Sequence, residues 1–274
     1  MWQLGFAMTI VHMLALGEPL AQSAEPATPS ATSQPSAVTS QPVSTRPAAG
    51  FLFKTVDLDG EAFNYSIYVP PEYSPSKAWP VILFLHGSGE RGGDGMLQTE
   101  VGIATAIRRV RARCPAIVVM PQCRAGERWF GKMNHMALKC LEATSREYNL
   151  DPARVYLTGL SLGGEGAWLI ASDFPREFAA VAVVCGFVGS PQQPPTPQTV
   201  ATIAGKLNAT PVWIYHGSAD KAVNVEHARR FAEAIKAAGG NVGFTEFPNL
   251  EHNVWDRVYA SAEFWNWLLS QERK

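Results

Sequence analysis

The chain has almost no excess of charge: 23 lysines and arginines stand against 24 acidic residues, a formal net charge of −1 over 274 residues. A nucleic-acid partner requires a basic face that displaces counterions from phosphate, so that class is not expected. The one basic cluster, Arg108-Arg109-Val110-Arg111-Ala112-Arg113, reads as the solvated end of a helix, where cations suit the dipole. Cysteine is scarce as well, with only Cys114, Cys123, Cys140 and Cys185. No C-x-x-C pair or His/Cys cluster is present, so no metal is expected. In an exported protein an even number of cysteines permits disulfides, and the sequence does not choose among the pairings. Cys185 ends an apolar run and reads as a buried free thiol.

An apolar run of comfortable bilayer length is also missing near the N-terminus. Residues 3–16, QLGFAMTIVHMLAL, are too short for a span. Gly17-Glu18-Pro19 follows, and then Ala21-Gln22-Ser23 and Ala24 fit an A-x-A-like cleavage site, so residues 1–23 resemble a secretory signal peptide. No Lys or Arg precedes the apolar run, leaving the α-amine as its positive charge, and no cysteine near the cleavage point offers a lipid anchor. The expectation is a secreted or periplasmic protein with no stable membrane insertion once the signal is removed. Residues 24–50 are rich in Pro, Ser, Thr and Ala and nearly devoid of large apolar side chains. Such a segment cannot bury enough surface to offset its ordering entropy and is expected to be a disordered linker. Residues 51–274 then form one domain of ordinary size.

What is present has a clear rhythm. Phe51–Asp57 and Ala62–Val69 are β-like and are separated by Asp59-Gly60, a hairpin signal. Short continuous apolar runs follow at 81–85, 116–120, 155–157, 179–184 and 212–215, and a final strand is expected over 242–247. Runs that do not alternate suit strands buried on both faces of a parallel sheet. Helical patterns fall between them at 96–110, 132–148, 162–173, 223–238 and near 256–270. The expected fold is α/β: a mostly parallel central sheet with an N-terminal antiparallel hairpin and helices on both faces. Sites in such sheets lie outside the carboxyl ends of the strands.

Gly159-Leu160-Ser161-Leu162-Gly163-Gly164 follows the run 155–157 and opens a helical pattern. A serine at that turn, with glycine two residues before and after, fits a nucleophile elbow, where larger side chains would collide. These residues match neither Gly-rich phosphate-loop pattern. A serine hydroxyl needs a base. Among the downstream histidines, His227 falls mid-helix and His216 sits at a strand end, where it shapes a turn. His252 lies in the loop between the last strand and the last helix, which makes it the candidate base. Asp220, just past the strand 212–215, is the candidate orienting carboxylate, ahead of Glu246, Glu251 and Asp256; it could also cap the next helix. An oxyanion hole would draw on the Leu162 amide and on the Ser88 amide of His86-Gly87-Ser88-Gly89-Glu90-Arg91-Gly92-Gly93, with Gly89 as the substitute donor. His86 is expected to fix that loop rather than move protons.

Taken together, the loop 86–92, Met120-Pro121-Gln122-Cys123 with Trp129, the elbow 159–164 and His216-Gly217-Ser218-Ala219-Asp220 resemble the α/β-hydrolase superfamily over residues 51–270. Within it the chain is similar to secreted carboxylesterases of the polyhydroxybutyrate-depolymerase-like and feruloyl/acetylxylan esterase-like groups. Dienelactone hydrolases and prolyl-oligopeptidase catalytic domains are neighbours. The resemblance implies cofactor-free hydrolysis of small or polymer-linked esters through an acyl-enzyme on Ser161, with Trp129 lining the acyl or alcohol pocket. Its rivals are a serine peptidase of prolyl-oligopeptidase type and a catalytically silent binding protein. In one respect the chain departs from the pattern: such enzymes often carry Val-Pro after the acid, whereas here Val223 precedes Asn224.

Overall fold

Asp59 and Gly60 both take positive φ, 56° and 77°, the geometry that lets a two-residue turn match the twist of its flanking strands. They join β1 (Gly50–Leu58) to β2 (Glu61–Val69), which pair antiparallel from Gly50↔Val69 to Leu58↔Glu61. The computed structural model describes residues 48–273, so the expected leader, 1–23, and most of the expected linker lie outside the described residues. Six further strands follow: β3 (Trp79–Leu85), β4 (Ile117–Pro121), β5 (Leu150–Leu160), β6 (Ala180–Val184), β7 (Val212–Gly217) and β8 (Val242–Phe247). They form one sheet in the order β1-β2-β4-β3-β5-β6-β7-β8. The hairpin joins it antiparallel through Tyr65↔Pro121, and every pairing among β3 to β8 is parallel.

The helices are α1 (Ile103–Arg109), α2 (Lys132–Glu147), α3 (Leu162–Asp173), α4 (Pro197–Lys206), α5 (Glu226–Ala237), α6 (Trp255–Ala260) and α7 (Ala262–Leu269). They cover both faces of the sheet. Ile103, Ile107, Val258 and Phe264 pack on one side, and Met136, Trp168, Val200 and Phe231 on the other. Every residue of β3, β4 and β6 is therefore buried, which is why these strands read as unbroken apolar runs. Each fully buried aliphatic or phenyl side chain contributes about 1.5–3 kcal/mol. Trp168 and Phe231 stack at 4.3 Å and tie α3 to α5, which steadies the helix that opens the candidate site.

Three elements differ from the sequence expectation. The helix expected over 96–110 begins only at Ile103, because Gly102, at φ 61°, breaks it from a 3-10 turn at Leu97–Glu100. The last helix is two, since Ser261 ends α6 and caps α7 by accepting from the Phe264 amide at 3.1 Å. The Pro-rich stretch after residue 186 contains α4. Thr196 caps it by accepting from the Thr199 amide, and Pro197 stands at its first position, where a missing N–H costs nothing. All four cysteines are buried and free. Among the described residues no helix is long and apolar enough to cross a membrane.

Candidate active site

β5 ends at Leu160 and α3 begins at Leu162, so Ser161 turns the chain alone. It does so at φ 53° and ψ −116°, a region that costs a non-glycine residue about 1–3 kcal/mol. The surroundings hold it there: the Ser161 amide donates to Val184 O at 2.9 Å, and the Glu165 amide donates to Ser161 O at 3.2 Å. A Cβ added at Gly159 would lie 2.1 Å from Gly163 O, and one at Gly163 would lie 2.0 Å from Leu85 O. Both contacts are with backbone, which cannot swing aside. Gly163→Ala is therefore expected to destabilise the fold by about 3 kcal/mol and lower the melting temperature by about 10 °C, measured by calorimetry. An unchanged melting temperature would mean that the turn has more room than this geometry allows.

The loop after β8 carries His252 to Ser161. Its Nε2 lies 2.9 Å from Ser161 Oγ and its Nδ1 lies 2.6 Å from Asp220 Oδ2. Asp220 sits three residues past the end of β7 with its side chain fully buried. Its Oδ1 accepts from the amides of Ala222 at 2.8 Å and Val223 at 2.9 Å. Burial alone would raise its pKa. The hydrogen bonds from His216, His252 and the Val223 amide outweigh burial and hold the carboxyl well below the usual range, so it is ionised at neutral pH. Because Asp220 is an acceptor, His252 Nδ1 carries the proton and Nε2 is left free to accept one from serine. The competing acids go elsewhere. Glu246 is paired bidentately with Arg229, Glu251 faces Lys221 at 3.5 Å, and Asp256 accepts from Asn253.

Asp220 also shapes the turn before α5, but that helix starts at Glu226, with Asn224 Oδ1 accepting from the Glu226 amide at 3.0 Å. Asn224 thus organises the entry where proline was absent. The sequence reading missed the full role of His216. It is completely buried and its Nε2 lies 3.1 Å from Asp220 Oδ2. The spacing His216…Asp220 in one short turn was the available signal. His227 is buried too, and its Nδ1 accepts from the Val188 amide at 3.4 Å. Burial lowers the His227 pKa to about 4.

The loop after β3 meets the elbow directly: a Cβ on Gly87 would stand 3.7 Å from Ser161 Cβ. Ser88 opens a 3-10 turn and Leu162 opens α3, so neither amide has an acceptor within its own helix. Residues 87–92 spell G-x-G-x-x-G, yet they lead into 3-10 turns rather than a helix, so the dinucleotide-binding context is missing. The loop is pinned from beneath. His86 Nε2 accepts from the Cys123 amide at 3.0 Å, which leaves Nδ1 to donate to Gly87 O at 2.6 Å. Burial pushes the His86 pKa down to about 4, so the ring is neutral and structural. Gln122 adds to this, accepting from the Gly95 amide and donating to Glu90 O and Asp94 Oδ1.

Trp129 does not line a pocket. It is completely buried, donates from Nε1 to His86 O at 3.0 Å, and packs edge-on against the His86 ring at 5.1 Å. A ring closed off beneath the loop cannot touch a substrate, so its contribution is to hold His86. Its neighbours Arg128 and Phe130 instead line an open cleft of about 500 Å³, together with Glu165, Leu169 and Val188. Glu165, buried one turn after Ser161, grips the Arg128 guanidinium through both oxygens and accepts from the Gly189 amide at 3.1 Å. This ion pair ties the loops after β4 and β6 to α3.

A family model named Esterase, described as "Putative esterase", matches residues 58–253. Among solved structures, a thermostable esterase is 30% identical, with a TM-score of 0.71, and the match covers 81% of this chain and 63% of that one. The feruloyl esterase module from Clostridium thermocellum, solved with sinapinate, is 18% identical with a TM-score of 0.63, over 79% of this chain and 88% of that one. At that identity the likeness is one of fold. Carboxylesterase SOBER1 of Arabidopsis thaliana is 26% identical over 115 residues, 42% of this chain and 48% of that protein. The chain spans about a third to a half of the curated relatives it matches. The sheet, its leading hairpin and its two helical layers make the architecture an α/β-hydrolase fold.

Proposed function

The chain belongs to the Esterase family, and on that premise we propose that it is a serine carboxylesterase with Ser161 as nucleophile, His252 as base and Asp220 as orienting carboxylate. The observation that carries this reading is the unbroken hydrogen-bond chain from Ser161 Oγ through His252 to a buried Asp220. His252 Nε2 takes the hydroxyl proton as Ser161 Oγ attacks the ester carbonyl. The oxyanion forms beside the Leu162 and Ser88 amides, and the imidazolium then protonates the departing alcohol. Water, deprotonated by the same nitrogen, attacks the acyl-enzyme and releases the acid. The polar groups are in place before substrate arrives, which is how such a site lowers a barrier without reorganising.

The finer reading is of an exported enzyme acting on polymer-linked acetyl or feruloyl esters. It is supported by the leader-like residues 1–23, the Pro- and Ser-rich stretch after them, and the shared fold of feruloyl esterases. A fluorophosphonate probe tests the core of the proposal. One adduct is expected, on Ser161, by peptide mass spectrometry, together with turnover of short aryl esters. An unlabelled serine would leave a silent binding protein on this fold, and cleavage of peptides but not esters would leave a peptidase. Aryl esters of rising acyl length, assayed beside feruloylated and acetylated xylan, then define the substrate.

A further inference from the structure

His216 is completely buried, yet only one edge of its ring is satisfied. Nε2 lies 3.1 Å from Asp220 Oδ2 and 3.1 Å from Val223 O. Both neighbours accept, so Nε2 carries the proton. Nδ1 is buried without a hydrogen-bond partner among the described residues. Leaving a buried polar atom unpaired is unfavourable, and an apolar side chain of similar size would fill the space without that penalty. What an imidazole adds at this position is therefore the Nε2–H.

That proton lies between the Val223 carbonyl and the carboxylate. Oδ1 takes the amides of Ala222 and Val223, and Oδ2 takes His252 Nδ1 and lies 3.1 Å from His216 Nε2, whose single proton it shares with Val223 O. With both oxygens engaged, the carboxylate is held against rotation about its Cβ–Cγ bond. With His216 removed, Oδ1 would keep its two amides, but the only polar group beside Oδ2 would be the His252 ring it is meant to hold. Building on the triad reading above, we propose that His216 is a positioning residue: its Nε2–H, shared between Val223 O and Asp220 Oδ2, steadies that oxygen for His252. It touches no substrate. Its effect falls on the step in which His252 becomes charged, because that is when the His252–Asp220 bond must stay short and aligned.

The test compares His216→Leu, which fills the volume without a donor, with His216→Gln, whose amide nitrogen reaches as far as Nε2. On p-nitrophenyl acetate, His216→Leu is expected to lower kcat by about tenfold to a hundredfold with KM within about twofold, and His216→Gln to recover most of the loss. Fluorophosphonate labelling of Ser161 should slow in parallel. Wild-type kcat in folded His216→Leu, or an equal loss in folded Leu and Gln variants, would overturn the proposal by leaving a packing role only. If the Leu variant fails to fold, His216→Asn replaces it, since an amide one methylene shorter cannot reach Oδ2. Gln is then expected to exceed Asn clearly, and equality overturns the inference. Wild-type protein that takes no label would instead defeat the triad reading itself, so the two failures are distinguishable.

Discussion

Ser161→Ala is expected to lower kcat on a small aryl ester by about 10⁴- to 10⁶-fold, with the melting temperature nearly unchanged. On the proposed mechanism the loss is large, because nothing else on the elbow could form the acyl-enzyme. The helix amides and the imidazole would remain, accounting only for residual acceleration. Stability should barely move, since alanine keeps the Cβ that makes φ 53° costly. Ser161→Gly separates strain from chemistry. It loses the same nucleophile but relieves the backbone, and is expected to gain about 1 kcal/mol and about 2–4 °C in melting temperature. Steady-state kinetics and calorimetry on the two variants read both effects. Alanine retaining most of the activity would place the nucleophile elsewhere. Glycine no more stable than wild type would mean that the loops around Ser161 relax with it.

Much of this site was legible because it is built from strand ends, and strand ends are what apolar runs reveal. Runs at 155–157 and 212–215 placed Ser161 and Asp220, and the loop before the last helix placed His252. What escaped depends on three-dimensional contact. His216 and Asp220 are close in sequence, but only the turn closed by the Ala222 and Val223 amides brings the ring onto Oδ2. Arg128 and Glu165 are 37 residues apart and meet only because the loop after β4 folds over α3. Trp129 stands between Arg128 and Phe130, which line the cleft; the difference is which way each side chain turns, and spacing does not encode that. α4 was not among the expected helices, yet Pro197 marks its start, since a first helical position tolerates proline's missing N–H.

Asp220→Asn is expected to lower kcat by about 10⁴-fold while leaving Ser161 and His252 within reach of each other. The direction follows from the donors around the side chain. The amides of Ala222 and Val223 both point at Oδ1 and accept nothing, so an asparagine must turn its carbonyl toward them. Its NH₂ then faces His252 Nδ1, where it donates and forces the imidazole proton onto Nε2. That proton points at Ser161 Oγ, and a nitrogen that already holds a proton cannot take another. The new NH₂ would also stand beside His216 Nε2–H, leaving that proton to Val223 O alone. Stability should change with pH in a definite sense. The Asp220 pKa is depressed on folding, so its contribution is complete above the ordinary carboxyl value of 3.8 and disappears as pH falls through the lower folded value. The stability gap between wild type and Asp220→Asn should thus be full at neutral pH and narrow in strong acid, measured by urea melts across pH. A constant gap would mean that the carboxylate gains nothing from the donors around it. Near wild-type turnover in the asparagine variant would show that His252 finds its tautomer without Asp220, and the base would have to be oriented by another group.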